Sequence, residues 1–463
     1  MAASEMLPLA KVGGLADVVG SLPMALKKLG VDIRVIIPKY GLVDKNKYKL
    51  KKMKANIEVP SGGQIKKVDL WQTTYQGIKV YFIDNRKYFD ANYVYGGNNA
   101  ERFLFFSLAV LHVLPVIRFK PDVLHCHDFF TALITDLLKV AQQYSGYLKG
   151  IKTLYTIHNL NHQGKAITEL LSTGNLTKNS LASLSRDAQD GDINFMVQGI
   201  INADAVNTVS KTYAKEIATA SYGAGIEKVI QTDRKKISGI VNGIDIDYFN
   251  PATDKHIYKK YSLKKLADKI ANKLKLQKEL GLNVDKNIPL VGLISRLVWQ
   301  KGVELISEKM ARELECQFVF LGTGQKEYEN HLQKLARQNP QKVSAQIKFS
   351  IELAQKIYAA SDIFLMPSRF EPCGLGQMIA MRYGTVPVVR ATGGLDDTVD
   401  KKVGFKFKSF TKRAMRESLE QALNVYYKKP GQWKKLQRNC MRRDFSWDKS
   451  AREYLRLYRK LVK

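Results

Sequence analysis

The apolar residues of this chain come in two spacings. Short runs, unbroken or alternating and closed by Gly, Pro, Ser or Asn, predict strands at residues 35–37, 122–127, 153–157, 289–294, 318–321, 363–366 and 386–389. The alternating pairs Val68/Leu70 and Val80/Phe82 mark two more. Between these runs apolar positions recur at helical spacing. Leu15, Val18, Val19, Leu22, Leu26 and Leu29 predict an amphipathic helix over 15–29, residues 103–114 a helix buried all round, and residues 262–280 and 377–382 further helices. Tyr454, Leu455, Leu457 and Tyr458 suit a closing helix. Within residues 255–278 we expect a solvated lysine face opposite an apolar stripe of Leu263, Leu266, Ile270 and Leu274. This alternation is that of open α/β sheets, whose ligands bind beyond the carboxyl ends of the strands.

The loops at those ends carry the candidate chemistry. Strand 363–366 leaves through Pro367 and Ser368 into Arg369, Glu371 and the turn Cys373-Gly374-Leu375-Gly376, ahead of a helix. A glycine-containing loop at a helix start offers unpaired amides and a positive dipole end to an anion. Glu371 would repel that anion unless it faces a neutral, hydroxyl-rich part of the same ligand, and a phosphate-bearing sugar meets both demands. The glycines of Ala391-Thr392-Gly393-Gly394 permit close backbone approach to a ligand, although ordinary α/β turns look the same. After strand 289–294, Arg296 and Lys301 lie five residues apart across a loop and an expected helix start. Two cations and a dipole would converge there, as a leaving diphosphate requires. Near the beginning, Lys11, Gly13 and Gly14 precede the 15–29 helix, which places a lysine and glycine amides for a diphosphate. Residues 88–101 form a polar Gly/Asn loop of the kind that borders sites. His125 and His127 share one face of their strand, a geometry open to metal ligation, but no third ligand stands at useful spacing and strand-end histidines are the commoner case.

Length and composition set bounds. The 463 residues suffice for two or three domains. The longest charge-free apolar run, residues 103–117, is short for a bilayer and contains Ser107, His112 and Pro115, so a buried helix is expected and no membrane partner. No leader pattern opens the chain. Four widely separated cysteines without a CxxC pair fit a reduced, cytoplasmic setting. The 74 Lys+Arg against 43 Asp+Glu leave a net charge of +31. Nucleic acid or an anionic substrate would account for it, but no RNA or DNA module or aromatic ladder accompanies the charge, so we expect lysines spread over solvated faces and no nucleic-acid partner.

Several of these stretches resemble one family. SRFEPCGL (368–375) followed by AMRYGTVPVVRATGGLDDTV (380–399) is similar to the nucleotide-sugar segment of bacterial glycogen synthases and plant starch synthases, the family 5 retaining glycosyltransferases. Lys11, Gly13, Gly14 and Asp17 match that family's K-T/V-G-G-L-A-D-V loop. Residues 125–128 match its H-A-H-D run, in which the acid, here Asp128, stands near the reacting sugar carbon. Phe129 and Phe130 replace a Trp and a His and put local acceptor packing in question. His158, in T-I-H-N-L, corresponds to the histidine that orients the donor sugar. Asn242 matches the residue facing the donor ahead of the interdomain hinge, and Arg296 and Lys301 fall in the family's S-R-L-x-x-Q-K-G. Phe349 stands where some relatives place Tyr against the base, and Val197 and Gln198 replace Lys-Gly. Where the family begins with a buried apolar strand, only four residues precede Glu5 here. We expect a truncated first strand and a reading frame that continues upstream of Met1; encoded apolar residues there would support this and an in-frame stop would sink it.

The resemblance implies a GT-B fold, two Rossmann-like α/β domains facing across a cleft. The first comprises residues 1–245 with a crossing helix at 445–463, on the acceptor side, and the second residues 246–444, on the donor side. It implies a hexosyltransferase that moves glucose from ADP-glucose to the non-reducing end of an α-1,4-glucan with retention, without metal or other cofactor. The implied catalytic residues are Asp128, His158, Glu371, Arg296 and Lys301. Lys11, Gly13, Gly14, Asp17, Asn242, Phe349, Cys373, Gly374, Leu375 and Gly376 join the last three in binding the donor. Other retaining GT-B transferases carry a second Glu eight residues after the first. Ile379 occupies that position here and favours the synthase branch. A different donor or acceptor, or a catalytically inactive glucan-binding protein, stays open as an alternative, as does the oligomeric state.

Overall fold

A computed structural model describes residues 1–463, which divide into two compact units, Met1–Gly243 with Trp447–Lys463, and Ile244–Ser446. Each unit is an α/β layer structure built on a largely parallel sheet.

In the first unit β1 (Arg34–Pro38), β2 (Lys51–Ser61), β3 (Gln64–Tyr75) and β4 (Ile78–Asp84) form a sheet of order β1-β4-β3-β2. β1 and β4 run parallel, and the other two pairings are antiparallel. β5 (Val123–His127), β6 (Lys152–Ile157), β9 (Ala205–Thr208) and β10 (Ile237–Gly239) form a second, all-parallel sheet of order β10-β9-β6-β5, while β7 (Lys165–Ile167) and β8 (Asp192–Asn194) make a separate ribbon. Ala2 joins the two sheets. It bridges Ile36 of β1 on one side and Cys126 of β5 on the other, both in parallel sense. Beside Met1, at the N-terminal ends of β1 and β5, lies a cavity of about 440 Å³ lined by Arg34, Phe119, Val123 and Tyr458 among others.

The helices of this unit follow the apolar spacing. Gly14–Lys28 buries Leu15, Val18, Val19, Leu22 and Leu26. Asn99–Val116 is 18 residues long and apolar enough to cross a bilayer by length and composition, yet it is the unit's core helix, with residues 102–111 all buried. The closing helix Trp447–Val462 buries Trp447, Ala451 and Tyr454 against the same core.

The second unit carries one six-stranded parallel sheet: β11 (Leu290–Ile294), β12 (Gln317–Gly322), β13 (Val343–Ile347), β14 (Ile363–Met366), β15 (Val386–Arg390) and β16 (Phe405–Phe407), in the order β13-β12-β11-β14-β15-β16. Strand order thus reverses between β11 and β14, which pair in parallel. A reversal of this kind splays the two following loops apart and opens a crevice at the carboxyl ends.

One predicted helix differs. Residues 262–280 hold a 3₁₀ turn, Leu266–Asp268, and an α-helix only from Lys269 to Glu279. Its buried face is Lys269, Asn272, Lys273, Leu276 and Gln277, whereas Ile270, expected in the apolar stripe, is 43% exposed. The two lysines tolerate burial because their ammonium groups are fully engaged. Lys273 Nζ meets Asp362 Oδ2 at 2.8 Å, Lys286 O at 2.9 Å and Tyr426 Oη at 3.0 Å, and Lys269 Nζ donates to Ala359 O and Thr385 Oγ1, each at 2.8 Å.

Candidate active site

In the second unit the site grows from β11 and β14. Both strands are apolar throughout and almost entirely buried, as expected of central parallel strands. Their polar continuations, residues 295–302 and 367–376, emerge side by side at the strand-order reversal. A pocket of about 250 Å³ there is lined by Ser295, Arg296, Lys301, Ser368, Glu371 and the turn residues Gly374, Leu375 and Gly376. Lys301 Nζ lies 2.5 Å from Glu371 Oε2, which also accepts the Ser368 hydroxyl at 3.0 Å. Arg296 is exposed and makes no ion pair, and Ser295 Oγ is buried without a partner. Arg369 is committed elsewhere: its guanidinium donates to Glu304 Oε1 and lies 4.6 Å from the Trp299 ring and 4.0 Å from that of Phe410.

One expectation changes here. No α-helix starts after Arg296; residues Trp299–Lys301 and Val303–Leu305 are single 3₁₀ turns, so no extended dipole adds to the two cations. Gly302, at φ +69°, sits where an added Cβ would overlap the carbonyl oxygen of Pro367, so the two loops are held in contact at that point. Gly393 and Gly394 serve the protein's own packing. An added Cβ would overlap the carbonyl oxygens of Glu371 and Cys373, and Gly394 N donates to Glu371 O at 3.1 Å. Those glycines admit neighbouring backbone, which supports the Glu371 loop from below. Cys373 is buried outside the pocket lining, and Phe349 stands 84% exposed.

In the first unit the corresponding position is the end of β5 and β6. Asp128 follows β5 directly and is buried in the left-handed region at φ +50°, a strained conformation for a residue with a side chain. Its Oδ1 accepts the backbone amides of His158 at 2.7 Å and Asn159 at 3.4 Å, which locks the end of β5 to that of β6. Burial pushes its carboxyl up to about 7, against the lowering effect of those amides. His158 is held neutral, its pKa pushed down to about 3 by burial. His127 Nδ1 lies 3.0 Å from His158 Nε2. The His125 nitrogens are both occupied, Nδ1 by Tyr458 Oη at 2.7 Å and Nε2 by Thr156 Oγ1 at 2.6 Å.

The Lys11 loop differs from its reading. Lys11 Nζ pairs with Asp17 at 2.6 Å, bringing those two together. The Gly13 amide is already taken, because Glu5 Oε2 accepts Val12 N at 2.6 Å and Gly13 N at 3.0 Å, while its Oε1 accepts Tyr95 Oη at 3.0 Å. Gly14 is the first residue of the following helix. Glu5, 2% exposed, is thus the residue that holds this loop, and no spacing in the sequence marks it. An acid beside an anion loop argues against a function until its amide partners are visible. Tyr95, from the 88–101 loop, stacks on Phe130 with centroids 4.5 Å apart, so the Phe that departs from the family pattern fills an aromatic cluster. Asn242 is buried, with Oδ1 unpartnered.

Two Rossmann-like units, one with cations and a carboxylate at its strand-order reversal and the other with an acid and a histidine at its strand ends, define a glycosyltransferase of the GT-B class. Residues 1–232 match the starch synthase catalytic domain family and residues 272–439 the glycosyl transferases group 1 family. The chain is 44% identical over 474 residues to a glycogen synthase of Thermotoga maritima, covering 99% of this chain and 97% of the relative. It is 44% identical over 473 residues to one of Alkaliphilus metalliredigens, covering 99% of each. Its structure superposes on the catalytic domain of starch synthase IV from Arabidopsis thaliana, solved with ADP and acarbose, with a TM-score of 0.90, 38% identity and coverage of 100% of this chain and 98% of that one. A sucrose-phosphate synthase from Thermosynechococcus elongatus shares the fold alone, at TM-score 0.61 and 19% identity. The chain belongs to the glycogen and starch synthase family and is a hexosyltransferase of glycogen synthesis.

Proposed function

We propose that the chain transfers glucose from ADP-glucose to the non-reducing end of an α-1,4-glucan, with retention and without a metal ion, in a reduced cytoplasmic setting. The observation that carries this reading is the unpaired Arg296 beside the Lys301–Glu371 pair at the strand-order reversal. Two cations there suit a leaving diphosphate, and a carboxylate in the same pocket suits sugar hydroxyls. Lys301 and Glu371 neutralise each other until a diphosphate oxygen competes for the ammonium. The carboxylate then turns to neutral hydroxyls. In the first unit, Asp128 is assigned to steadying an oxocarbenium-like centre and His158 to orienting the sugar, with Lys11 adding a further positive charge once a diphosphate oxygen displaces Asp17 from it. The departing phosphate helps deprotonate the incoming hydroxyl on the same face, so the protein's contribution is positioning and charge stabilisation. ADP in the starch synthase IV structure supports an adenine nucleotide, and four buried cysteines that form no disulfide support the compartment.

The test is incorporation of labelled glucose into glycogen from ADP-glucose and from UDP-glucose, with EDTA present. Incorporation from ADP-glucose is expected. Preference for UDP-glucose would overturn the donor, dependence on added divalent cation the metal-free mechanism, and glucan binding without any transfer the enzymatic reading.

A further inference from the structure

The site histidine His158 has a neighbour whose only visible work is to set its proton. His127, the last residue of β5, is fully buried, and its Nδ1 lies 3.0 Å from His158 Nε2. A hydrogen bond between two imidazole nitrogens needs one proton, so one ring donates and the other accepts. The remaining nitrogen of each ring then settles which. His127 Nε2 is buried and has no partner. If His158 were the donor, His127 would carry its own proton on Nε2 and leave an N–H orphaned in the core. If His127 is the donor, Nε2 carries only a lone pair. Orphaned buried N–H groups are the rarer and costlier of the two.

Neighbouring contacts hold His127 in place. His125 packs against it with ring centroids 4.1 Å apart, and the proton positions of His125 are themselves fixed. The Thr156 hydroxyl donates to Asn207 Oδ1, so it accepts from His125 Nε2–H, which leaves His125 Nδ1 to accept from the Tyr458 hydroxyl. That ring, tilted 33° to His127 and held by bonds at both nitrogens, flanks it in a buried site, where His127 Nε2 has no partner. Burial holds all three rings neutral.

We propose that His127 is a positioning residue that fixes His158 in the Nδ1–H tautomer, so that His158 presents a proton donor, and not a lone pair, to a hydroxyl oxygen of the sugar. His158 Nδ1 has no partner in the protein, and the residue is partly exposed. The choice of nitrogen is dictated by the bond the other nitrogen makes. A fixed N–H selects an acceptor oxygen and holds one hydroxyl rotamer. The assignment to the sugar rests on the proposed function; the assignment of the tautomer does not.

The experiment is a two-bond ¹H–¹⁵N spectrum of protein labelled at its 7 histidines, with His158 assigned by the signals lost in His158→Gln. The wild-type protein should show His158 protonated at Nδ1 and bare at Nε2. His127→Asn, whose amide N–H stands near the position of Nδ1, should keep that signature and hold kcat/KM for ADP-glucose within about threefold. His127→Leu should show a mixture of tautomers and lose on the order of 10-fold in kcat/KM, the worth of one well-aligned hydrogen bond. A wild-type His158 protonated at Nε2 would overturn the proposal, as would a Leu variant that keeps the pure Nδ1–H form. An inactive wild-type protein with the expected spectrum would overturn the donor assignment and leave the tautomer standing.

Discussion

Arg296 and Lys301 share one loop and one assigned role, yet their surroundings give them different signatures. Arg296 is exposed and unpaired, so Arg296→Ala should leave stability within about 0.5 kcal/mol of the parent. Lys301 neutralises Glu371, which is 6% exposed and whose carboxylate is otherwise bonded only to Ser368. Lys301→Ala strands a buried carboxylate and should cost about 3 kcal/mol. Both changes should lower kcat by on the order of 10²-fold or more if each cation stabilises the leaving group. Steady-state kinetics and urea unfolding of the two variants check this. A loss confined to KM would reduce both residues to binding groups. Such a pair is only half legible in the chain. That Arg296, Lys301 and Glu371 follow strands is visible as apolar runs ending in polar loops. That two of them neutralise each other depends on β11 lying beside β14, 70 positions apart for the ion pair, which no local spacing records. The glycines are legible only in part for the same reason: that Gly393 and Gly394 also make room for the Glu371 and Cys373 carbonyls is a tertiary fact.

At the scale of elements, the legible strands are those buried on both faces and apolar throughout, such as LVGLI and IFLM, whereas the equally buried parallel strand AVNT carries Asn and Thr and leaves no such run. Helices are readable only where their buried face is apolar. Lys269–Glu279 fails that condition, since its inner face carries two lysines whose partners come from distant segments. The rule that lysines face water holds until a carboxylate and carbonyls are supplied, and their supply is a tertiary fact. The Lys273–Asp362 pair then has a measurable consequence. Lys273→Met leaves Asp362, which also accepts Leu290 N at 2.9 Å, as an uncompensated buried charge and should destabilise by about 3–5 kcal/mol. Adding Asp362→Asn keeps an acceptor for Leu290 and removes the charge. The double variant should therefore be more stable than the single one in urea unfolding, and the reverse order would mean that the pair's geometry, and not its charge balance, holds this helix to β14.

For the whole molecule the dominant fact is a net charge of +31, and we expect it to act on an anionic substrate more than on the fold. Ion pairs such as Lys52–Asp69 and Arg416–Glu420 engage part of the cationic surface, but the excess of 74 basic over 43 acidic residues leaves many lysines, Lys51 and Lys54 among them, with only solvent as counter-charge. Charges so spread produce a broad positive potential that raises the local concentration of an anionic nucleotide sugar and leaves an uncharged glucan unaffected. The Debye length falls from about 10 Å at 0.1 M salt to about 3 Å at 1 M, so this attraction is screened over an accessible range. Raising KCl from about 0.05 to 0.5 M should lower kcat/KM for ADP-glucose by roughly 3- to 10-fold, while KM for a neutral oligosaccharide acceptor stays constant. Kinetics at fixed pH with each substrate varied in turn separates the two. An equal fall in both would mean that salt perturbs the protein itself. A flat donor profile would confine the useful charge to the contact cations Arg296 and Lys301, with the other lysines serving solubility alone.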